Sequence, residues 1–151
     1  MHTVEDILKT KEDASNTIAP TAMVIEALQK LISVNLSYLV VIEEGEFKGI
    51  FSERDYTRKL VLQGRSSRDT MVREVMTVEL PVVGLENTVE DCMYQMNARG
   101  ARYLAAFDGT DFAGIITIHD LLRSVLATKH ELFNSSLTNS LLDREESGKF
   151  F

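Results

Sequence analysis

A seven-residue pattern occurs twice in this chain, and it constrains the fold more than any other feature. The first copy is Gly49-Ile50-Phe51-Ser52-Glu53-Arg54-Asp55; the second is Gly114-Ile115-Ile116-Thr117-Ile118-His119-Asp120. Both run glycine, two apolar residues, a hydroxyl residue, two variable residues and an aspartate. The same offset of 65 positions holds without a gap from Val24–Val61 to Val89–Leu126. It pairs Val24 with Val89, Tyr38 with Tyr103, Leu39 with Leu104, Phe47 with Phe112 and Arg58 with Arg123. Self-similarity of this length means one supersecondary unit used twice. Whatever Ser52 and Asp55 do, Thr117 and Asp120 are expected to do in a second, related place.

The hydrophobic pattern gives each unit its elements. Val24, Ala27, Leu28 and Leu31 fall at i, i+3, i+4 and i+7, one face of a helix. Their partners Val89, Cys92, Met93 and Met96 fall on the same face. Tyr38 to Ile42 is a continuous apolar run that reads as a buried strand. Glu43 to Glu46, containing Gly45, turns the chain into a second strand, Phe47 to Phe51. In the second repeat Asp108-Gly109 supplies the turn, a hairpin signal. A helix then starts after Ser52 and after Thr117. Thr17-Ile18 reads as a short leading strand, and each repeat is β-α-β-β-α, an α/β (α+β) unit. Val4–Leu8 and Val72–Met76 read as short lead-in helices. These features divide the chain into 1–68, the first repeat with its lead-in helix and a polar linker, and 69–127, the second repeat. Residues 128–151 form a C-terminal tail, helical or partly disordered, in which Leu132, Phe133, Leu137, Leu141 and Leu142 could line one helix face.

Bulk properties narrow the class. At 151 residues the chain is one ordinary domain or two very small ones. An apolar content of 44% makes a buried core available. The net charge of −7 argues against a nucleic-acid-binding face, which needs a basic stripe. It leaves room for a small anionic ligand, because local arginines set the potential of a cleft. No apolar run approaches the roughly 20 residues of a membrane span. Met1 to Ile7 lacks the basic and apolar regions of a signal peptide. The one cysteine, Cys92, cannot form an internal disulfide, so the reducing cytoplasm is the expected setting.

The repeated pattern has a physical reading. Glycine ahead of two apolar strand residues lets another backbone or a ligand approach closely. The strand then delivers Ser52 or Thr117 to the start of a helix, where unpaired N–H groups and the helix dipole attract phosphate. The aspartate three residues on can accept two hydrogen bonds from vicinal hydroxyls, as a ribose presents. Arg54, Arg58, Lys59 and Arg123 supply nearby cations. The competing reading is a simple helix cap, since Ser-x-x-Asp and Thr-x-x-Asp are also capping boxes with Asp in place of Glu or Gln.

With these residues in view, the paired units resemble tandem CBS domains, named after cystathionine β-synthase, a pair being called a Bateman module. The resemblance covers about residues 4 to 127, and the Gly-apolar-apolar-Ser/Thr-x-x-Asp pattern is the family's nucleotide signature. Ser52 to Lys59, then Leu62 to Ser67, then Val75-Met76-Thr77 are similar to a mostly bacterial subfamily of stand-alone CBS pairs. The resemblance implies two repeats packed with pseudo-two-fold symmetry and clefts that bind AMP, ADP, ATP or NAD(H). It implies Asp55 and Asp120 on ribose and Ser52 and Thr117 near phosphate. It adds Arg54 and Arg58 as phosphate contacts, with His119 standing where repeat one has Arg54. Thr17, Ile18, Val82 and Val83 would line the adenine pockets. The chain departs from the family at Val82, where relatives usually carry Thr, and at Leu85. Ser124 stands where repeat one has Lys59.

Other chemistry finds little support. His2, His119 and His130 have no metal-ligand spacing. Cys92 matches Ala27 on an apolar helix face and reads as core. Gly-x-Gly-x-x-Gly, Walker and Gly-x-Ser-x-Gly motifs are all missing from the sequence. No nucleophile–base pair stands outside the repeats, so the expectation is a non-enzymatic sensor. The alternative is a structural or interaction module with vestigial sites. A homodimer is expected through the faces carrying Val24, Leu28 and Leu31 and carrying Tyr56 and Leu60.

Overall fold

The computed structural model of the protein describes residues 2–11 and 15–127. The tail expected at 128–151, with its candidate helix, lies outside the described residues. Two three-stranded sheets carry the fold. One has the order β1-β2-β3, with β1 Thr17–Ile18, β2 Tyr38–Glu43 and β3 Glu46–Ser52. The other has β4 Val82–Gly84, β5 Tyr103–Asp108 and β6 Asp111–Thr117, in the order β4-β5-β6. In each, the short leading strand pairs parallel to the central strand, and the hairpin partner pairs antiparallel. Even the irregularity repeats: the register shifts between Val41 and Ile42 and again between Ala106 and Phe107. The tandem β-α-β-β-α reading is therefore realised strand for strand.

The helices follow the sequence signals with one exception. Thr3 caps α1 Val4–Thr10 and Thr88 caps α5 Val89–Arg99, each through a reciprocal box with the aspartate three residues on. Helix α2 Val24–Val34 ends at Asn35 and α5 ends at Gly100, both in the left-handed conformation that suits these residues at a helix end. Helix α4 is Val72–Val75, and α6 is Ile118–Ala127. The exception follows Ser52. Helix α3 runs only over Glu53–Asp55 and then widens into a π-helical turn, Tyr56–Val61, whereas α6 is a regular α-helix. The second hairpin also differs by one residue from expectation. Asp108 still pairs with Asp111, so the loop is Gly109–Thr110, with Gly109 at a φ of +63°.

The chain divides into two compact units, one from the described residues of 1–12 and 80–151 and the other from those of 13–79. This departs from boundaries at 68/69, because each lead-in helix goes with the repeat that was not expected. Helix α1 buries Val4 and Ile7 among Val83, Cys92, Met96, Leu104, Ile116 and Leu121. Helix α4 buries Val72 and Val75 among Val24, Ala27, Leu31, Leu39, Val41, Phe51 and Leu60. The same backbone clasp fixes both. Val4 N–H donates to Asn87 O (2.9 Å) and Val89 N–H to His2 O (3.1 Å). Val72 N–H donates to Ala22 O and Val24 N–H to Thr70 O, both at 2.8 Å.

Two expectations about exposed faces are corrected. Val24, Leu31 and Leu60 are buried, with Leu28 and Tyr56 packed against them, so they serve the core of their own unit rather than an external face. The exposed large apolar residues include Ile32, Val61 and Leu62 in this unit and Tyr94, Leu122 and Met93 in the other. Met93 was expected on the packed face with Cys92 and Met96. Among the described residues no helix is long and apolar enough to cross a membrane.

Candidate functional site

In both units the repeated glycine admits a neighbour that a side chain would exclude. A Cβ built on Gly49 would lie 2.4 Å from the carbonyl oxygen of Thr77. The glycine lets the segment after α4 close a backbone bridge on β3, with Ile50 N–H donating to Thr77 O (2.9 Å) and Thr77 N–H to Ile50 O (2.8 Å). Over Gly114 the neighbour is Leu8, whose Cδ2 would be 2.8 Å from a Cβ. So the lead-in segment of each unit lands on the pattern glycine, and each then delivers a polar side chain to the pattern aspartate.

The tetrads that follow are buried. Ser52, Asp55, Thr117 and Asp120 are each 5% exposed or less. Each forms the reciprocal cap: Ser52 N–H donates to Asp55 Oδ2 (3.0 Å) and Asp55 N–H to Ser52 Oγ (3.3 Å). Thr117 N–H donates to Asp120 Oδ2 (2.8 Å) and Asp120 N–H to Thr117 Oγ1 (3.1 Å). A buried carboxylate needs further partners to offset its lost hydration. Asp55 Oδ2 also accepts from Ser52 Oγ (3.2 Å). Its Oδ1 accepts from Thr77 Oγ1 (2.7 Å) and pairs with Lys59 Nζ (2.8 Å). Asp120 Oδ2 takes Lys11 Nζ at 2.8 Å, and Arg123 stands 4.0 Å from its Oδ1. Lys11 Nζ also donates to Ile115 O (2.9 Å).

The remaining predicted residues sort by exposure. Arg54 and Arg58 are exposed on the segment that carries Asp55. His119 is half-buried beside Asp120. On the leading strands Thr17 and Val82 are exposed. Ile18 packs on the core, and Val83 lies within it. Each sheet sets its leading strand beside the central strand, whose other neighbour delivers the tetrad. Thr77 and Lys11 were not singled out as site residues from sequence. Lys11 lies 109 positions from Asp120, and the one signal for it was that Ser124 takes the place of Lys59 in the repeat. Among the described residues no group of His, Cys, Asp and Glu could hold a metal ion; His130 lies outside them.

Comparison with known proteins gives a concordant picture. The CBS domain profile matches residues 4–62 and 72–127. The CBS domain-containing protein YhcV of Bacillus subtilis (strain 168) is 30% identical over 139 residues, spanning 92% of this chain and 95% of its own length. A CBS-domain protein from Burkholderia ambifaria MC40-6, described in terms of signal transduction, superposes with a TM-score of 0.76 at 36% identity, covering 83% of this chain and 95% of that one. CBSX2, solved in complex with AMP, shares the fold with a TM-score of 0.68 at 24% identity, over 85% of this chain and 99% of that one.

Proposed function

The chain belongs to the CBS-domain family, carrying two copies of the domain, and from that premise we propose that it is a non-enzymatic sensor of adenine nucleotides. AMP, ADP and ATP are the ligand class, with NAD(H) a further member. The observation that carries this reading is the buried carboxylate repeated in both units, Asp55 and Asp120, each just past the end of a strand and beside cations, exposed ones at Asp55 and half-buried ones at Asp120. Vicinal ribose hydroxyls are donors that such a carboxylate accepts well. Ser52, Arg54 and Arg58 in one repeat, and Thr117 and His119 in the other, are assigned to the phosphate side. Thr17, Ile18, Val82 and Val83 are assigned to the adenine. The AMP complex of CBSX2 supports the ligand class. The protein acts as a homodimer in the cytoplasm, where its one buried cysteine stays reduced. It passes ligand occupancy to a regulated protein. Light scattering at 17.0 kDa, one chain, would refute the dimer.

One observation favours a second reading, a structural or interaction module. Both tetrads are closed capping boxes, and the carboxylates of Asp55 and Asp120 both find partners within the chain. Calorimetry with adenosine, AMP and ATP separates the two. Under the sensor reading Asp55→Ala and Asp120→Ala lose charge-assisted hydrogen bonds of roughly 1.5–3 kcal/mol, about ten- to a hundred-fold in affinity for all three ligands. Arg58→Ala weakens ATP more than adenosine, because it acts on phosphate charge. The nucleotides are recovered unchanged. If both Asp variants bind as the parent does, the tetrads are caps only and the module reading stands.

A further inference from the structure

The lone pairs that a ribose would use are already occupied. Asp55 receives four donors: Ser52 N–H and Ser52 Oγ on Oδ2, Thr77 Oγ1 and Lys59 Nζ on Oδ1. A carboxylate offers about four such sites, so a ribose hydroxyl enters only by displacing a donor. Three of the four are fixed. The Ser52 groups belong to the cap, and Thr77 is held over Gly49 by its backbone bridge. Lys59 is the donor that can leave. Its side chain is 44% exposed on a flexible stem, and its other acceptors, Thr77 Oγ1 and Met76 O, are longer at 3.2 and 3.4 Å.

The second unit brings a lysine to its carboxylate by another route: Asp120 Oδ2 takes both Thr117 N–H and Lys11 Nζ, and Arg123 stands 4.0 Å from Oδ1. The repeat replaces Lys59 with Ser124, so helix α6 has no lysine to offer there. Lys11, just past α1, supplies the ammonium instead, 2.8 Å from Asp120 Oδ2 and 24% exposed. Two lysines from unrelated positions therefore converge on equivalent carboxylates. A cap needs no lysine, so capping does not account for the convergence.

We infer that Lys59 and Lys11 are specificity-determining residues that hold the ribose position in the empty protein and select for a phosphorylated ligand. The inference rests on the nucleotide reading above. A nucleoside that displaces the ammonium leaves it without its carboxylate. A nucleotide brings a phosphate that takes the ammonium over, so the ion pair is exchanged rather than lost. The lysines thus lower the affinity for bare adenosine while sparing AMP. Lys11, less exposed and shared with Ile115 O, makes the Asp120 site the more reluctant of the two.

The test is calorimetric titration of adenosine and of AMP into the parent chain, Lys59→Met, Lys59→Arg, Lys11→Met and Lys11→Arg. Lys59→Met is expected to bind adenosine about three- to ten-fold more tightly and AMP more weakly, so that the preference for AMP over adenosine collapses; this is the size of one ordinary hydrogen bond, the charge-assisted value being discounted because the Lys59 side chain is 44% exposed. Lys59→Arg keeps the preference. Should Lys11→Met fail to fold with Asp120 uncompensated, Lys11→Arg and the Lys59 pair decide the matter. An unchanged AMP-to-adenosine ratio in Lys59→Met, with AMP still bound by the parent, overturns the inference and leaves the sensor reading intact. If neither the parent nor any variant binds AMP or adenosine, both fall together.

Discussion

Replacing each pattern glycine by alanine separates what the two positions do. Gly49 and Gly114 share the same φ of +156°, a backbone that side chains rarely adopt, so the conformational cost is common to both. The neighbours differ. Alanine at Gly49 meets the Thr77 carbonyl oxygen at 2.4 Å and Val78 Cα at 3.3 Å, all rigid backbone. Relief requires opening the Ile50–Thr77 bridge, two backbone hydrogen bonds of about 1 kcal/mol each. The same movement draws Thr77 Oγ1 off Asp55, at up to about 1 kcal/mol more. Alanine at Gly114 meets only the tip of Leu8, which can turn aside. Gly49→Ala is therefore expected to cost about 2–3 kcal/mol more than Gly114→Ala. At about 2–4 °C per kcal/mol for a chain of this size, the melting temperatures should differ by about 4–12 °C. Thermal and urea unfolding followed by circular dichroism read the difference. Equal losses would mean that backbone angle is all the glycines provide, and the bridged lead-in segment would lose its assigned role.

Two further outcomes follow from the ionisable groups. Burial, with Asp91 nearby, pushes the Cys92 thiol up to about 11. The folded protein should therefore resist a thiol-disulfide reagent at pH 8 and react only once unfolded, and reaction at the rate of a free thiol would contradict this packing. The cap carboxylates Asp6 and Asp91 are held below their ordinary value of 3.8, chiefly by the N–H groups of Thr3 and Thr88. Glu74 is held below 4.5 by Met71 N–H and then Arg65. A depressed folded value adds stability above the unfolded value and loses it as pH falls through the folded one. Urea midpoints should thus hold near neutrality and fall below about pH 4 to 4.5. Asp6→Asn, Glu74→Gln and Asp91→Asn together should flatten that fall, and an unchanged acid limb would count against the caps as its source.

Much of this architecture is legible in the residues. The 65-position offset places every strand of the second unit once the first is read, including a leading strand as short as Thr17–Ile18. The Ser52 and Thr117 tetrads are caps, as their spacing says, with the aspartates buried. What stayed hidden is non-local. The apolar faces of α1 and α4 announce burial but not which sheet receives them. The π turn at Tyr56–Val61 contains neither Gly nor Pro, so no local signal marks it. Lys11 reaches Asp120 across 109 positions, a juxtaposition that only the folded chain creates. Met93 has the right period for the packed face, yet a period of 3.6 defines a stripe and not its edge.

The exchange of lead-in helices also orders events during synthesis. The unit from residues 13–79 is continuous along the chain, and its aspartate and lysine stand four residues apart, so it can close while the ribosome is still working. The other unit is split. Helix α1 leaves the ribosome ahead of the strands that receive it, and Lys11 must wait for Asp120, 109 positions later. At about 5–20 residues per second, that is roughly 5 to 20 s with Val4, Ile7 and Leu8 deprived of their core. During that interval the nascent chain carries one finished unit and an apolar segment still waiting for its core. That segment is the natural target for a chaperone acting on this protein as it is made.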